Sequence, residues 1–253
     1  MDTFILRIYR GESGDQYWEE FELKLRPFLN ITSALLEIQQ YPVTRRGERV
    51  TPVAWEQGCL EEVCGSCTML INGRPRQGCT ALIPKLLQMT ASRTITLAPL
   101  TKFPLIKDLV VDRARMFNDL KEVNAWIDVD DALDRGFGPK ISPALQETMY
   151  ALSTCMTCAC CVEACPQVNA RSAFIGPAAI SQARLFNAHP VGKLMEERRL
   201  RTLMREGGVS DCGDAQNCVA VCPKEIPLTE SIAVMERHVV KQAIEDMVGL
   251  PDA

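Results

Sequence analysis

The run Cys155-Met-Thr-Cys158-Ala-Cys160-Cys161-Val-Glu-Ala-Cys165-Pro166 constrains this chain more than any other stretch. Its spacing, C-x2-C-x2-C-x3-C-P, is that by which thiolates hold a cubane iron–sulfur cluster, the fourth cysteine reaching across to a second cluster. A companion run must then lie downstream, and Cys212-Gly-Asp-Ala215-Gln-Asn-Cys218-Val-Ala-Val-Cys222-Pro223 keeps the same register. Ala215 stands where the second cysteine of that register belongs. The crossed pattern gives one cluster Cys155, Cys158, Cys161 and Cys222, a thiolate for each iron of a 4Fe-4S centre. The other receives Cys165, Cys212 and Cys218, which leaves one corner without a ligand. A cubane with an untethered iron tends to lose it, so a 3Fe-4S centre is expected there. Cluster type and net charge set reduction potential, and with one thiolate fewer this centre is expected to be the easier one to reduce.

Zinc is the competing use of clustered cysteines. Structural zinc needs closed groups of four ligands, and two crossed runs that each end in Cys-Pro do not divide that way. Cys160 falls between ligands without breaking the register and reads as a small buried apolar residue.

A third group lies upstream: Gly58-Cys59-Leu-Glu-Glu-Val-Cys64-Gly65-Ser66-Cys67, with Cys79 after it. C-x4-C-x2-C with a later fourth cysteine is the plant-type spacing for a 2Fe-2S centre. Gly58, Gly65 and Ser66 suit such a loop, because small residues let backbone N–H groups turn toward sulfur and glycine takes the positive φ required.

Around these loops the pattern changes once. Phe4–Tyr9 and Glu20–Leu25 alternate as strands, with Phe21, Leu23 and Leu25 on one face and a hairpin loop at Gly11–Asp15. Thr32–Tyr41 has helical periodicity, Thr68–Gly73 reads as a strand running into a turn, and Thr94–Leu97 as a closing strand. Beyond about Lys102 the spacing turns helical, first over Ile106–Leu120. Asp128–Pro143 is acidic and glycine-containing, as a connection would be. Ser142-Pro143 and Pro177 open helices, Lys193–Glu206 is charged and helical, and Thr229–Val248 is expected to bury Ile232, Met235, Val239, Ala243 and Met247. The fold class is therefore α+β: an N-terminal β-grasp plant-type ferredoxin domain over 1–105, then an all-α bacterial-type (helical) ferredoxin domain over 106–253, with a connecting segment over about 106–142.

Composition limits function. A formal net charge of −4 offers no basic surface for nucleic acid. No G-x-G-x-x-G or P-loop is present, so no nucleotide or flavin site is expected. No secretory signal opens the chain and no apolar stretch approaches the 18 or so residues of a membrane span. Thiolates that bind iron imply a reducing compartment. His189 and His238 read as ordinary surface or packing residues, Trp18, Trp55 and Trp126 as core or interface residues, and Glu61 and Glu62 as loop-surface residues facing a partner. No catalytic residue is expected.

Two ferredoxin-like halves with two-, four- and three-iron sites resemble the iron–sulfur subunits of succinate dehydrogenase and fumarate reductase. The similarity extends to Phe103-Pro-Leu-Ile-Lys-Asp-Leu-Val-Val-Asp112, Phe174-Ile-Gly-Pro-Ala178 and Cys222-Pro-Lys224. The resemblance implies an oxidoreductase subunit with no substrate chemistry of its own. Such a subunit carries electrons from the FAD of a flavoprotein subunit, where succinate becomes fumarate, to a quinone at a membrane-anchor subunit. Cys59, Cys64, Cys67 and Cys79 would hold the cluster nearest the flavin, with the four-iron centre next and the three-iron centre nearest the quinone.

The ubiquinone-reducing branch has a tryptophan shortly after the first Cys-Pro and a histidine after the first cysteine of the second run. Here Cys165-Pro-Gln-Val-Asn-Ala-Arg-Ser172 has no tryptophan and Gly213 follows Cys212. These stretches resemble the menaquinone-linked type, whose anchor carries haem b. The implied location is the cytoplasmic face of the plasma membrane, peripheral through the anchor. Fumarate reduction, a free-standing multi-cluster carrier and a zinc-stabilised interaction module stand as alternatives; the number of centres in one chain argues against the carrier.

Overall fold

The computed structural model describes residues 2–90, 92–128 and 138–249. The chain divides into two compact units, Met1–Arg113 with Met156–Glu163, and Ala114–Cys155 with Ala164–Ala253.

In the first unit, β1 (Thr3–Glu12) and β2 (Asp15–Lys24) form an antiparallel hairpin closed by Gly11 and Gly14, both at positive φ. The hairpin loop expected at 11–15 is thus a tight turn. α1 (Ile31–Gln40) follows, then β3 (Thr68–Ile71), β4 (Arg74–Gln77), α2 (Ile83–Gln88) and β5 (Thr94–Ala98). The sheet order is β2-β1-β5-β3-β4, with β1 and β5 parallel and the other neighbours antiparallel. Alternation in β1 sends Phe4, Leu6 and Ile8 inward, where Ile31, Ala34, Leu35 and Ile38 of α1 cover them. Trp55 packs against this core, while Trp18 is exposed and its ring meets that of Tyr9 at a 40° tilt.

The same inward stripe ends in a charge. Arg10 is buried, and its guanidinium meets Asp108 and Glu19. Asp108 also accepts backbone N–H bonds from Gly11 and Ala54, each at 2.8 Å. This corrects the helix expected over Ile106–Leu120. The structure has a two-stranded ribbon, β6 (Leu105–Lys107) and β7 (Val110–Val111), before a shorter α3 (Ala114–Glu122). Asp108 at the turn of that ribbon has φ 49°, which no helix contains, and it is fixed there by partners distant in sequence.

The second unit is helical: α4 (Pro143–Ser153), α6 (Pro177–Ala188), α7 (Glu196–Leu203), α8 (Asn217–Val221) and α9 (Leu228–Val248); α5 (Cys160–Ala164) lies at the seam of the chain division. Ser142 caps α4 by accepting from Leu145 N–H, as expected of Ser-Pro. Residues 129–137 of the acidic connection lie outside the described residues. α6 presents Ala179, Ile180 and Ala183 to the core, and its Ser181 meets Ser231 of α9. Arg199 of α7 is wholly buried and donates to the carbonyls of Asn124, Trp126 and Gly192 and to Asn187. Ile232 and Met235 of α9 are buried as expected. Val239 and Ala243 are half-buried and Met247 is 80% exposed, so the apolar stripe of this long helix is not buried to its end among the described residues. Among the described residues no helix is long and apolar enough to cross a membrane.

Asp108→Ala would leave the buried Arg10 guanidinium with Glu19 but without Asp108, and would free the N–H groups of Gly11 and Ala54. Removing one partner of a buried pair costs about 3–5 kcal/mol, so urea unfolding followed by circular dichroism should show a loss of that size.

Candidate iron–sulfur sites

The first cysteine loop shows what the cysteine spacing demands of the backbone. Leu60, Glu62 and Gly65 all take positive φ, which turns successive N–H groups to one side. Glu61, Val63 and Cys64 then donate backbone N–H bonds to Cys59 Sγ at 3.2–3.4 Å, and Cys59 N–H donates to Cys64 Sγ at 3.4 Å. Hydrogen bonds from Ser66 and from the Cys59 backbone hold the exposed Cys64 thiol down at about 6. Burial and its neighbour Cys67 push Cys79 up to about 12. Cys79 is positioned from α1: Asn30, the N-cap, accepts from Ser33 N–H and donates through Nδ2 to the Cys79 carbonyl at 2.8 Å. Cys59, Cys64, Cys67 and Cys79 are thus gathered in one region, with Gly58 packed so that a Cβ there would lie 2.9 Å from Cys64 Sγ. The donor set fits a dianionic cluster of thiolates and sulfides.

The second loop repeats the device. Thr157 and Ala159, two and four residues after Cys155, have φ of 53° and 73°. Cys158 and Cys161 belong to the first compact unit, Cys155 and Cys222 to the second. A hydrogen bond from Cys160 is the main influence holding the Cys158 thiol down at about 7. Cys160 is fully buried, and both its bond to Cys158 and its burial raise its own pKa, so it remains a neutral thiol, as its reading as an apolar residue requires. Gln77 donates to Cys160 Sγ at 3.4 Å and to Thr68 Oγ1 at 3.0 Å. Glu163 pins this run by accepting from Thr101 N–H, Thr101 Oγ1 and Lys102 N–H.

The third loop turns left-handed at the same two positions as the second. Asp214 and Gln216, two and four residues after Cys212, have φ of 50° and 58°. Cys165, Cys212 and Cys218 line one cavity of about 280 Å³, part of it open to solvent, and Ala215 lines it too. Burial raises Cys212 and pushes Cys218 up to about 11. A set of three thiols with a methyl group in the fourth place fits a cluster with one unligated corner.

Among the described residues no three Cys, His, Asp or Glu side chains converge tightly enough to share a single ion. His189 Nδ1 accepts from Val191 and Gly192 N–H, and His238 meets Glu196, both packing roles as expected. Glu61 is exposed and Glu62 half-buried, the latter accepting from Thr80 Oγ1. Gln77, Arg113 and Glu163 were not legible as site residues: their role depends on distant partners, and the one local signal is that Arg113 directly follows the Phe103–Asp112 motif.

Residues 5–118 match a family described as a 2Fe-2S iron-sulfur cluster binding domain, and residues 151–226 one described as a 4Fe-4S dicluster domain. The chain is 52% identical to the succinate dehydrogenase iron-sulfur subunit of Bacillus subtilis over 96% of its length and 94% of that protein. It is 34% identical to the fumarate reductase iron-sulfur subunit of Wolinella succinogenes, over 72% of this chain and 75% of that one. A chain of the Mycobacterium smegmatis Sdh1 complex in the apo form shares the fold, with a TM-score of 0.77 and 21% identity over 95% of this chain and 96% of that one.

Gly58→Ala should press a methyl group into the Cys64 sulfur. Low-temperature EPR of the reduced variant is expected to lose the two-iron signal while the signals of the other centres persist.

Proposed function

The chain belongs to the iron–sulfur subunits of succinate dehydrogenase and fumarate reductase, and from that premise we propose that it relays electrons from the FAD of a flavoprotein subunit to a membrane quinone. The observation that carries this reading is the recurrence of left-handed residues in all three cysteine loops, at matching positions in two of them. Such residues cost about 1–3 kcal/mol each outside glycine, and alternating them aims backbone N–H groups at an anion.

Cys59, Cys64, Cys67 and Cys79 are assigned to a 2Fe-2S centre. Cys155, Cys158, Cys161 and Cys222 are assigned to a 4Fe-4S centre, and Cys165, Cys212 and Cys218 to a 3Fe-4S centre. When bound, these groups accept and pass single electrons. The chain's own part is to fix each thiolate, supply N–H donors to sulfur and exclude water from the more buried sites, all of which tune potential. The higher identity to the succinate dehydrogenase relative than to the fumarate reductase one supports succinate oxidation as the direction.

The quinone in this reading is menaquinone, and the anchor subunit carries haem b on the cytoplasmic side of the plasma membrane. Support comes from Gly213, against which Gln167 packs so closely that a side chain there would collide with it, so the histidine of the ubiquinone-reducing branch has no place without Gln167 moving.

Anaerobically purified protein should contain about nine irons per chain (two, four and three, as these cluster types require). EPR should give a three-iron signal when oxidised, and two-iron plus four-iron signals on reduction. Ala215→Cys is expected to replace the three-iron signal with a second four-iron one and to slow quinone reduction. An unchanged three-iron signal in that variant would refute the ligand assignment.

A further inference from the structure

The first and second cysteine loops touch, and a glycine is what lets them. Gly65, between Cys64 and Cys67, has φ +72°. A Cβ built on it would lie 2.7 Å from Cys158 Cα, 2.9 Å from Cys158 Cβ and 3.0 Å from the Met156 carbonyl oxygen. Backbone atoms cannot swing aside as the end of a side chain can, so no side chain fits between the loops here. By contrast, Gly58 is crowded by Cys64 and Ser66 of its own loop. Gly65 is also held from its own side. Its carbonyl accepts from Thr68 Oγ1 at 2.7 Å and from Arg113 Nη1 at 2.8 Å, while Arg113 Nη2 donates to Ser66 O at 2.7 Å. Gln77 then ties the two loops together, donating through Nε2 to Thr68 Oγ1 at 3.0 Å and to Cys160 Sγ at 3.4 Å. Gly65, Thr68, Gln77 and Cys160 are all buried, and they belong with Met156 and Cys158 to one compact unit.

We propose that the Gly65–Cys158 contact, braced by Gln77, sets the gap between the two-iron and four-iron centres and thereby the rate at which an electron crosses it. Electron transfer between fixed centres falls off steeply with their separation, and it is carried better by bonded and touching atoms than by empty space. Here the main chain of the two-iron loop, at the residue after the assigned ligand Cys64, rests on the Cα and Cβ of Cys158, an assigned ligand of the four-iron centre. Glycine is needed at 65 for this close approach as well as for its left-handed backbone, and any side chain there would wedge the loops apart. The step itself is one electron lost by the reduced two-iron cluster and one gained by the four-iron cluster. Flavin is the ultimate donor and quinone the ultimate acceptor, and no bond is made or broken. Gly65 and Gln77 act through the separation of the centres and are positioning residues. The inference rests on the electron-relay reading above and adds to it the place where two of its centres meet.

The test is low-temperature pulsed EPR of the purified complex containing the full chain, unsubstituted or with Gly65→Ala, Gly73→Ala or Gln77→Leu. In the unsubstituted complex the two-iron signal should relax faster once the four-iron centre is also reduced, because neighbouring unpaired spins couple and the coupling falls steeply with distance. Gly65→Ala should lose most of that acceleration and slow the passage of electrons from the two-iron to the four-iron centre. Gly73 has φ +75° and nothing within 4 Å of a Cβ, so Gly73→Ala carries the same left-handed strain without the clash and should keep the acceleration in full. Gln77→Leu removes the tie to Cys160 while leaving both cysteine loops intact in sequence, and should lose part of it. Full acceleration in Gly65→Ala, or an equal loss in Gly73→Ala, would overturn the proposal, the second by showing that strain matters rather than contact. If Gly65→Ala fails to hold a two-iron cluster, Gln77→Leu decides: a partial loss supports the proposal and full acceleration refutes it. Clusters present in the unsubstituted complex but relaxing independently would also overturn it, whereas absence of clusters there would refute the relay itself.

Discussion

A thiolate taken out of water must be met by donors aimed at it, and in this chain the donors are backbone N–H groups. To aim them, the loops accept left-handed conformations at ordinary residues: Leu60 and Glu62, Thr157 and Ala159, Asp214 and Gln216. At about 1–3 kcal/mol apiece, such turns persist where something outside the local sequence offsets them. Ligation does this for metal sites generally, since the free energy of binding becomes free energy of folding. The Cys59 sulfur, with three backbone N–H groups converging on it, shows the arrangement most fully.

The scaffold holds these strained loops at their ends. Asn30 serves two elements at once, capping α1 and tethering the Cys79 carbonyl, so the last ligand of the first site moves only if the helix start moves. Arg113 clamps the other side of the same loop. Glu163, a buried carboxylate with three donors from Thr101 and Lys102, fastens the second run. The sheet contributes rigidity underneath: β3 leads directly out of Cys67, and β4 delivers Gln77 two residues before Cys79. In each case a regular element fixes a ligand whose own neighbourhood is irregular.

Cysteine spacing made the candidate sites legible because cluster ligation is mostly a local constraint: the reach between sulfurs limits how many residues separate them. The sheet and its covering helix were legible from alternation and periodicity for the same reason. What escaped was nonlocal. Apolar residues between Ile106 and Leu120 repeat as a helix would, yet Asp108 is claimed by Arg10 and by the backbone at Gly11 and Ala54, and the segment becomes a ribbon. Met247 continues the apolar stripe of α9 on a turn where, among the described residues, it is left 80% exposed. Gln77 and Arg113 look like ordinary polar residues until their partners, many positions away, are known.

The two cysteine runs of the helical half separate two properties usually lost together. Their backbones turn left-handed at the same two positions, whether the second ligand position holds Cys158 or Ala215. In the proposed assignment the capacity to cradle an anionic cluster is carried by main-chain geometry and does not depend on the fourth ligand. In the proposed assignment the kind of cluster is set by side chains, through the number of thiolates around the cavity lined by Cys165, Cys212 and Cys218. With fold and cradle held constant, replacing one sulfur by a methyl group changes cluster charge, and with it potential. A chain built this way can order its centres energetically by changing single residues, leaving the backbone that binds them untouched.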